Sequence, residues 1–371
     1  MTANPLVRLG ELGQSPWYDY ITRDLIGSGE LRRLIAEDGL RGMTSNPTIF
    51  EKAVAGSRLY DEDIRRLGEQ GRVAAEIFES LAVADVRAAC DAFAALHRES
   101  GGIDGLVSLE VSPALAHDTE GTIHEAERLW GAVDRPNAMI KIPGTEAGLP
   151  AIARCVAAGI NVNVTLLFSV ERYAAVIEAW LDGLERRLEA GRPLAPLASV
   201  ASFFVSRVDG KVDPLLDQRG DPHGLRGRIA VANACSAYRL FEWSLGTPRW
   251  GRLAKAGARP QRPLWASTST KDPRYHDVYY VEALVAPRTV NTLPPETFAA
   301  YRDHGRPAVR IRDGIAEAPG GQLRALAGQG IDLAVITREL EHDGVAKFAA
   351  SYRSLLAGIE AKADALVVGR G

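Results

Sequence analysis

Cysteine is scarce in this chain: Cys90, Cys155 and Cys235 are the only three among 371 residues. They are widely spaced, with no close pair to hold a metal, which excludes a disulfide framework and fits a reducing compartment. Long apolar runs are also missing. None approaches the roughly 18 residues that a membrane span needs, and the opening Met-Thr-Ala-Asn-Pro-Leu-Val-Arg has no apolar signal core. Neither sign of charge dominates: 44 Lys plus Arg against 47 Asp plus Glu leave a net charge of -3, which gives no general attraction to nucleic acid or an anionic membrane. The histidines, His97, His117, His124, His223, His276, His304 and His342, lack the close spacing of a zinc site and read as surface or capping residues. What remains is a soluble, cytoplasmic protein with three buried, inert thiols and a hydrophobic content of 46%, enough for a sizeable core.

Short apolar runs bounded by turn residues alternate with longer helix-like segments, the pattern of repeated βα units around a parallel sheet. Eight runs read as strands: Ser15 to Ile21, Leu40 to Asn46, Leu106 to Val111, Ala138 to Pro143, Asn161 to Phe168, Ala198 to Val205, Pro263 to Thr268 and Thr289 to Pro294. Helix-like stretches include Gly29 to Asp38, Val73 to Arg98, Thr122 to Val133, Ser169 to Ala190 and Leu225 to Leu245. This order predicts a closed (β/α)8 TIM barrel with additional helices. An open doubly wound sheet is the alternative, but its dinucleotide-binding form carries a Gly-rich phosphate turn after the first strand, and none is present.

Low-complexity tracts and internal repeats are absent, so the reading is one domain spanning residues 1–371. The connection from Glu51 to Gly105 is too long for a loop and must hold two or more helices, with Asp61 to Leu67 and Val73 to Arg98 the best candidates. Gly246 to Arg262 reads as a surface excursion and Pro319-Gly320-Gly321 as a flexible turn. The Arg-rich segment from Arg306 to Arg312 reads as a solvated face. Beyond about residue 320, amphipathic helices that include Val345 to Leu356 are expected to pack on the barrel.

Within Asn137-Ala-Met-Ile-Lys-Ile-Pro-Gly-Thr145, Lys141 is the one charged residue in an otherwise apolar strand. Burying an ammonium is costly, so this position calls for either a strand-end lysine that snorkels to water or an amine that attacks a carbonyl to form a Schiff base. In a barrel, catalytic groups project from the carboxyl ends of the strands. Each expected strand carries such a group near that end: Asp19; Thr44 and Asn46, whose direction Pro47 helps to fix; Glu110; Lys141; Asn163 and Thr165, on one face by the two-residue period; Ser202 and then Arg207; Ser267 and then Lys271. Each has an ordinary alternative as a turn, cap or surface ion pair. Together they exceed what a structural barrel, filled by Val, Ile and Leu layers, would carry.

The set matches a reaction class. Lys141 can serve as nucleophile, Glu110 and Asp19 as proton carriers, and Thr165 as the holder of a water between Glu110 and the imine. Asn46 and Asn163 can bond substrate hydroxyls. Arg207 and Lys271, with Ser202 and Ser267 as neutral donors, can make a local phosphate site. No metal is required, since the iminium is itself the electron sink.

At these residues the chain resembles the transaldolases, Schiff-base enzymes grouped with the class I aldolases. The resemblance rests on Met43-Thr-Ser-Asn-Pro-Thr-Ile-Phe50, Val107-Ser-Leu-Glu-Val111, Met139-Ile-Lys-Ile-Pro143, Ile160-Asn-Val-Asn-Val-Thr-Leu-Leu-Phe168 and Ser199-Val-Ala-Ser-Phe-Phe-Val-Ser-Arg-Val-Asp209, in family order. Leu264-Trp-Ala-Ser267 and Val285 to Pro294 look like the long bacterial form. The resemblance implies transfer of a dihydroxyacetone unit from sedoheptulose 7-phosphate or fructose 6-phosphate to an aldose phosphate in the pentose phosphate pathway. It implies no cofactor, sugar-phosphate partners, and a monomer or homodimer. It casts Lys141 as the Schiff-base lysine, Asp19 as the base for the donor hydroxyl, Glu110 with Thr165 as the water-mediated relay, and Arg207 with Ser267 as phosphate contacts. Some members carry an arginine two residues after this serine. Here that position is Ser269, and Lys271 takes the expected role of second cation. A Schiff-base aldolase with a different acceptor, or a sugar-phosphate-binding barrel without catalysis, are the competing readings.

Overall fold

The computed structural model describes residues 4–311 and 317–368. Its centre is a closed barrel of eight parallel strands in chain order: β1 (Gln14–Asp19), β2 (Gly42–Thr44), β3 (Leu106–Glu110), β4 (Ala138–Pro143), β5 (Val162–Leu167), β6 (Ser199–Phe204), β7 (Arg262–Ala266) and β8 (Thr289–Leu293). β8 pairs with β1 to complete the ring, so the (β/α)8 barrel read from the sequence is the architecture observed. All eight strands fall on the eight expected apolar runs, with ends displaced by at most two residues. They are buried on both faces, which is why they read as near-continuous apolar segments.

Inside the ring, side chains from alternate positions meet by size. Trp17 stands opposite Gly42 across the β1–β2 pair, and a Cβ on Gly42 would lie 2.4 Å from the Trp17 indole. A glycine is therefore required there for the indole to cross. Two residues further along, on the same face, Asp19 stands opposite Thr44 at the barrel mouth. The same period places Glu110, Lys141 and Asn163 side by side on β3, β4 and β5. Register breaks once, between Val164 and Leu167 of β5, where Leu166 takes a left-handed φ of 60°. Such a bulge re-aims the strand end, and Leu166 remains buried beneath the C-terminal helix.

The connection between β2 and β3 holds three helices, Pro47–Ala55, Asp61–Glu69 and Ala74–Glu99. The surface excursion after Gly246 holds a helix over Pro248–Lys255, which Thr247 caps by accepting from the Trp250 amide. One expectation is corrected. Pro319-Gly320-Gly321 lies in the opening of the helix Glu317–Gly328, where a proline costs little because its missing N–H would have no intrahelical partner. Of the Arg-rich segment, Arg306 and Arg310 are exposed, and Arg312 lies outside the described residues. The last helix, Leu333–Val368, packs against the three helices of the long connection, the helix Ser206–Arg219 and β5. Among the described residues no helix is long and apolar enough to cross a membrane. The three cysteines are buried and unpaired, and burial pushes the thiols of Cys155 and Cys235 up to about 12 and 11.

Candidate active site

At the carboxyl ends of the strands lies a cavity of about 720 Å³. Lys141 reaches it from β4 with a side chain only 5% exposed. Its Nζ donates to Glu110 Oε2 at 3.1 Å and to the Ser45 carbonyl at 3.2 Å. The Phe348 ring, from the C-terminal helix, covers the ammonium with its centroid 5.6 Å away. The snorkelling alternative does not describe this lysine, which is sealed in by protein on its flanks and faces the cavity.

Glu110 is pushed above the ordinary carboxylate range by burial, against the opposing pull of Lys141. Among the described residues its second oxygen, Oε1, has no hydrogen-bond partner, and neither does the Thr165 hydroxyl. Glu110 does not line the main cavity. It borders an adjoining hollow of about 30 Å³, shared with Ser45, Asn46, Ser112 and Tyr352, which has room for a single water. Asp19, on the opposite wall, accepts from Thr44 Oγ1 at 2.6 Å, and Thr44 in turn meets Thr292 Oγ1 at 2.7 Å. Desolvation raises the Asp19 carboxyl too, opposed by the charges of Lys141 and Arg207 and by the Thr44 bond. Two carboxyls raised by burial beside one amine are groups suited to exchanging protons with a bound substrate.

The remaining expected residues divide. Thr44, Asn46, Lys141, Thr165, Ser202, Arg207, Ser267, Lys271 and Asp19 all line the cavity. Asn163 does not: it is fully buried, with Nδ2 donating to Ser108 Oγ at 2.9 Å and Oδ1 accepting from Ser202 Oγ at 2.7 Å. Asn46 has two faces, because its Oδ1 caps the helix Pro47–Ala55 by accepting from the Ile49 amide at 3.1 Å while the residue still borders the cavity. Ser267 follows β7 with a left-handed φ of 56°, and its hydroxyl meets that of Ser206 at 3.1 Å. That φ is sparsely populated for a residue with a side chain, and it shapes the turn that brings Ser267 into the cavity wall. Arg207 lies over the Phe204 ring at 5.0 Å, and burial lowers its pKa against the opposing charges of Asp19 and Asp343.

Several lining residues had no signal in the sequence reading. Lys52, Lys211 and Lys347 bring three more cations to the wall, and Leu340, Asp343 and Phe348 arrive with Lys347 on the C-terminal helix. Lys52 and Lys211 lie just beyond quoted motifs without a pattern of their own, and the C-terminal residues are hidden because a helix 36 residues long shows only which face is apolar. With Lys141, Arg207 and Lys271, the lining cations outnumber the carboxylates Asp19, Glu296 and Asp343. A chain with a net negative charge thus carries a cationic cavity.

A family model described as Transaldolase/Fructose-6-phosphate aldolase matches residues 16–359. The chain belongs to that family. Among curated transaldolases, that of Acidothermus cellulolyticus is 52% identical over 360 residues, with 96% of both chains covered. That of Frankia alni is 50% identical, covering 96% of this chain and 97% of the relative. Transaldolase 2 of a Nostoc strain is 46% identical over 99% of each. The chain is therefore an enzyme of the transaldolase kind, and a cationic cavity suits the sugar-phosphate substrates of the family.

Proposed function

We propose that this transaldolase-family enzyme moves a dihydroxyacetone unit from sedoheptulose 7-phosphate or fructose 6-phosphate to an aldose phosphate, through a Schiff base on Lys141, in the pentose phosphate pathway. The observation that carries the reading is a buried lysine, 3.1 Å from a carboxylate raised by burial, opening into a cavity that also holds Asp19 and Arg207. Lys141 Nζ, unprotonated, adds to the ketose carbonyl, and the carbinolamine loses its hydroxyl as water. Glu110 supplies and recovers the protons of these steps through a water held with Thr165. The iminium then withdraws electrons from the adjoining carbon–carbon bond. Asp19 takes the proton of the hydroxyl next to that bond, the bond breaks, and the first aldose phosphate leaves while the three-carbon enamine stays on Lys141. The acceptor aldehyde is attacked by that enamine, Asp19 returns its proton to the new hydroxyl, and hydrolysis frees the lysine.

In this proposal Arg207, Ser267 and Lys271 hold the phosphate, with Ser202, Thr44 and Asn46 at the sugar hydroxyls. Asn163 acts one step back, orienting Ser202 through its amide oxygen. Borohydride reduction in the presence of fructose 6-phosphate, followed by peptide mapping, tests the reading. A three-carbon adduct on Lys141 that is missing from Lys141→Ala is expected. Full turnover of the wild type without any trapped adduct would overturn the lysine mechanism. Product analysis with and without an aldose phosphate acceptor distinguishes transfer from simple cleavage.

A further inference from the structure

The scattered histidines are not all isolated. The connection after β7 and the end of the helix Pro295–His304 bring His276, Asp277 and His304 together on the surface, with one ligand atom from each within 4.8 Å of the others. Asp277 Oδ1 lies 3.0 Å from His304 Nε2 and 3.6 Å from His276 Nδ1. Ligands bound tetrahedrally at the usual zinc distances are separated by roughly 3.3 to 3.5 Å, and the two separations from Asp277 lie within a few tenths of an ångström of that range.

Two further features fit a metal better than a chance ion pair. The other ring nitrogen of His304, Nδ1, is 3.1 Å from Asp303 Oδ2, the carboxylate–histidine arrangement that fixes a ligating tautomer and aims Nε2 at the ion. Thr270 Oγ1 lies 2.9 and 2.7 Å from the carbonyl oxygens of His276 and Asp277 and donates its one proton between them, which holds the backbone that carries two of the three ligands. An ion pair between His304 and Asp277 leaves His276 unexplained. Its Nδ1 faces the same oxygen beyond hydrogen-bond distance, and its ring stands edge-on to His304 with centroids 5.4 Å apart.

We propose that His276, Asp277 and His304 bind a divalent transition-metal ion of the zinc class, with water completing the shell. The ion fastens the connection after β7 to the helix Pro295–His304. The site is separate from the barrel cavity and stands whether or not the sugar-phosphate reading holds. Zinc chloride titrated calorimetrically into the untagged full chain at neutral pH tests it, with His304→Ala, His276→Asn and Asp303→Asn in parallel. The expected result is one zinc ion per chain, binding at least ten-fold weaker in either histidine variant and roughly 10- to 100-fold weaker in Asp303→Asn, where only the outer carboxylate is lost. The unfolding temperature of the wild type rises with zinc, and that of the histidine variants does not. Unsaturable binding, or equal affinity in the wild type and both histidine variants, would overturn the proposal.

Discussion

Asp209 is buried at the start of the helix Ser206–Arg219, where it accepts from the Ala230 amide at 2.7 Å and the Tyr280 hydroxyl at 2.9 Å. Burial, reinforced by nearby Asp213, pushes its carboxyl up to about 7 despite those bonds. Its folded value is above the unfolded one, so the folded chain binds the extra proton in the window between them. The stability it contributes is complete below about pH 4 and is lost as pH rises through 7, a swing of up to about 4 kcal/mol. Asp209→Asn keeps an oxygen for the Ala230 amide and removes the titration. Urea unfolding at pH 5 and pH 8 is expected to show a smaller loss of stability with rising pH in the variant, and identical losses would show that the proton is bound elsewhere. Asp209 lies inside a motif of the sequence reading, yet its titration was not legible there, because it depends on Tyr280 and the Ala230 amide, both far along the chain. Lys141 was legible, since a single charge in an apolar strand needs no partner to be conspicuous. The placement of Asn163 behind the cavity wall was not, because the two-residue period gives the face of a strand and not the depth of the lining.

At the scale of elements, the strands were readable because a barrel strand covered on both faces is an apolar run with abrupt ends. The bulge in β5 was not, because Leu166 at a positive φ breaks no pattern in Asn161-Val-Asn-Val-Thr-Leu-Leu167. The helix Pro248–Lys255 buries only Leu253, too little to show periodicity, although Thr247-Pro248 is a start signal. The C-terminal helix is the element with most consequence for the site. It is tied down along its length by Arg172–Glu341, Lys211–Asp343, Thr48–Ser351 and Lys362–Asp61. These bonds hold Phe348 over Lys141. Phe348→Ala is expected to cost about 3 to 5 kcal/mol as a core truncation and to let water reach the amine. Phe348→Leu restores most of the volume but not the ring face. If the cation–π contact matters, Phe348→Leu lowers kcat several-fold at nearly native stability. Equal kcat in Phe348→Leu and the wild type would reduce the ring to a packing role.

Across the whole molecule, charge is distributed unevenly: the chain is slightly acidic overall, yet the lining of the hollow at the barrel mouth is cationic. Bulk composition excluded a general affinity for polyanions and could not reveal this, because Lys52, Arg207, Lys271 and Lys347 come from four separate parts of the chain and meet only once the barrel closes. Such a field acts on a sugar phosphate in two separable ways. Its long-range part draws the substrate in and is screened over about 10 Å at 0.1 M salt, so kcat/KM is expected to fall as salt is raised. Its short-range part is the direct contact, for which Arg207 is placed best, being largely buried beside Phe204 and close to Ser206 and Ser267 in the wall. A hydrogen bond to a charged group is worth about 1.5 to 3 kcal/mol, so Arg207→Met is expected to raise KM for a phosphorylated donor roughly 10- to 100-fold. Measured against an unphosphorylated ketose, the same variant is expected to show little change. If Arg207→Met weakens both substrates equally, the arginine shapes the cavity rather than binding the phosphate, and the phosphate is held by the other lining cations.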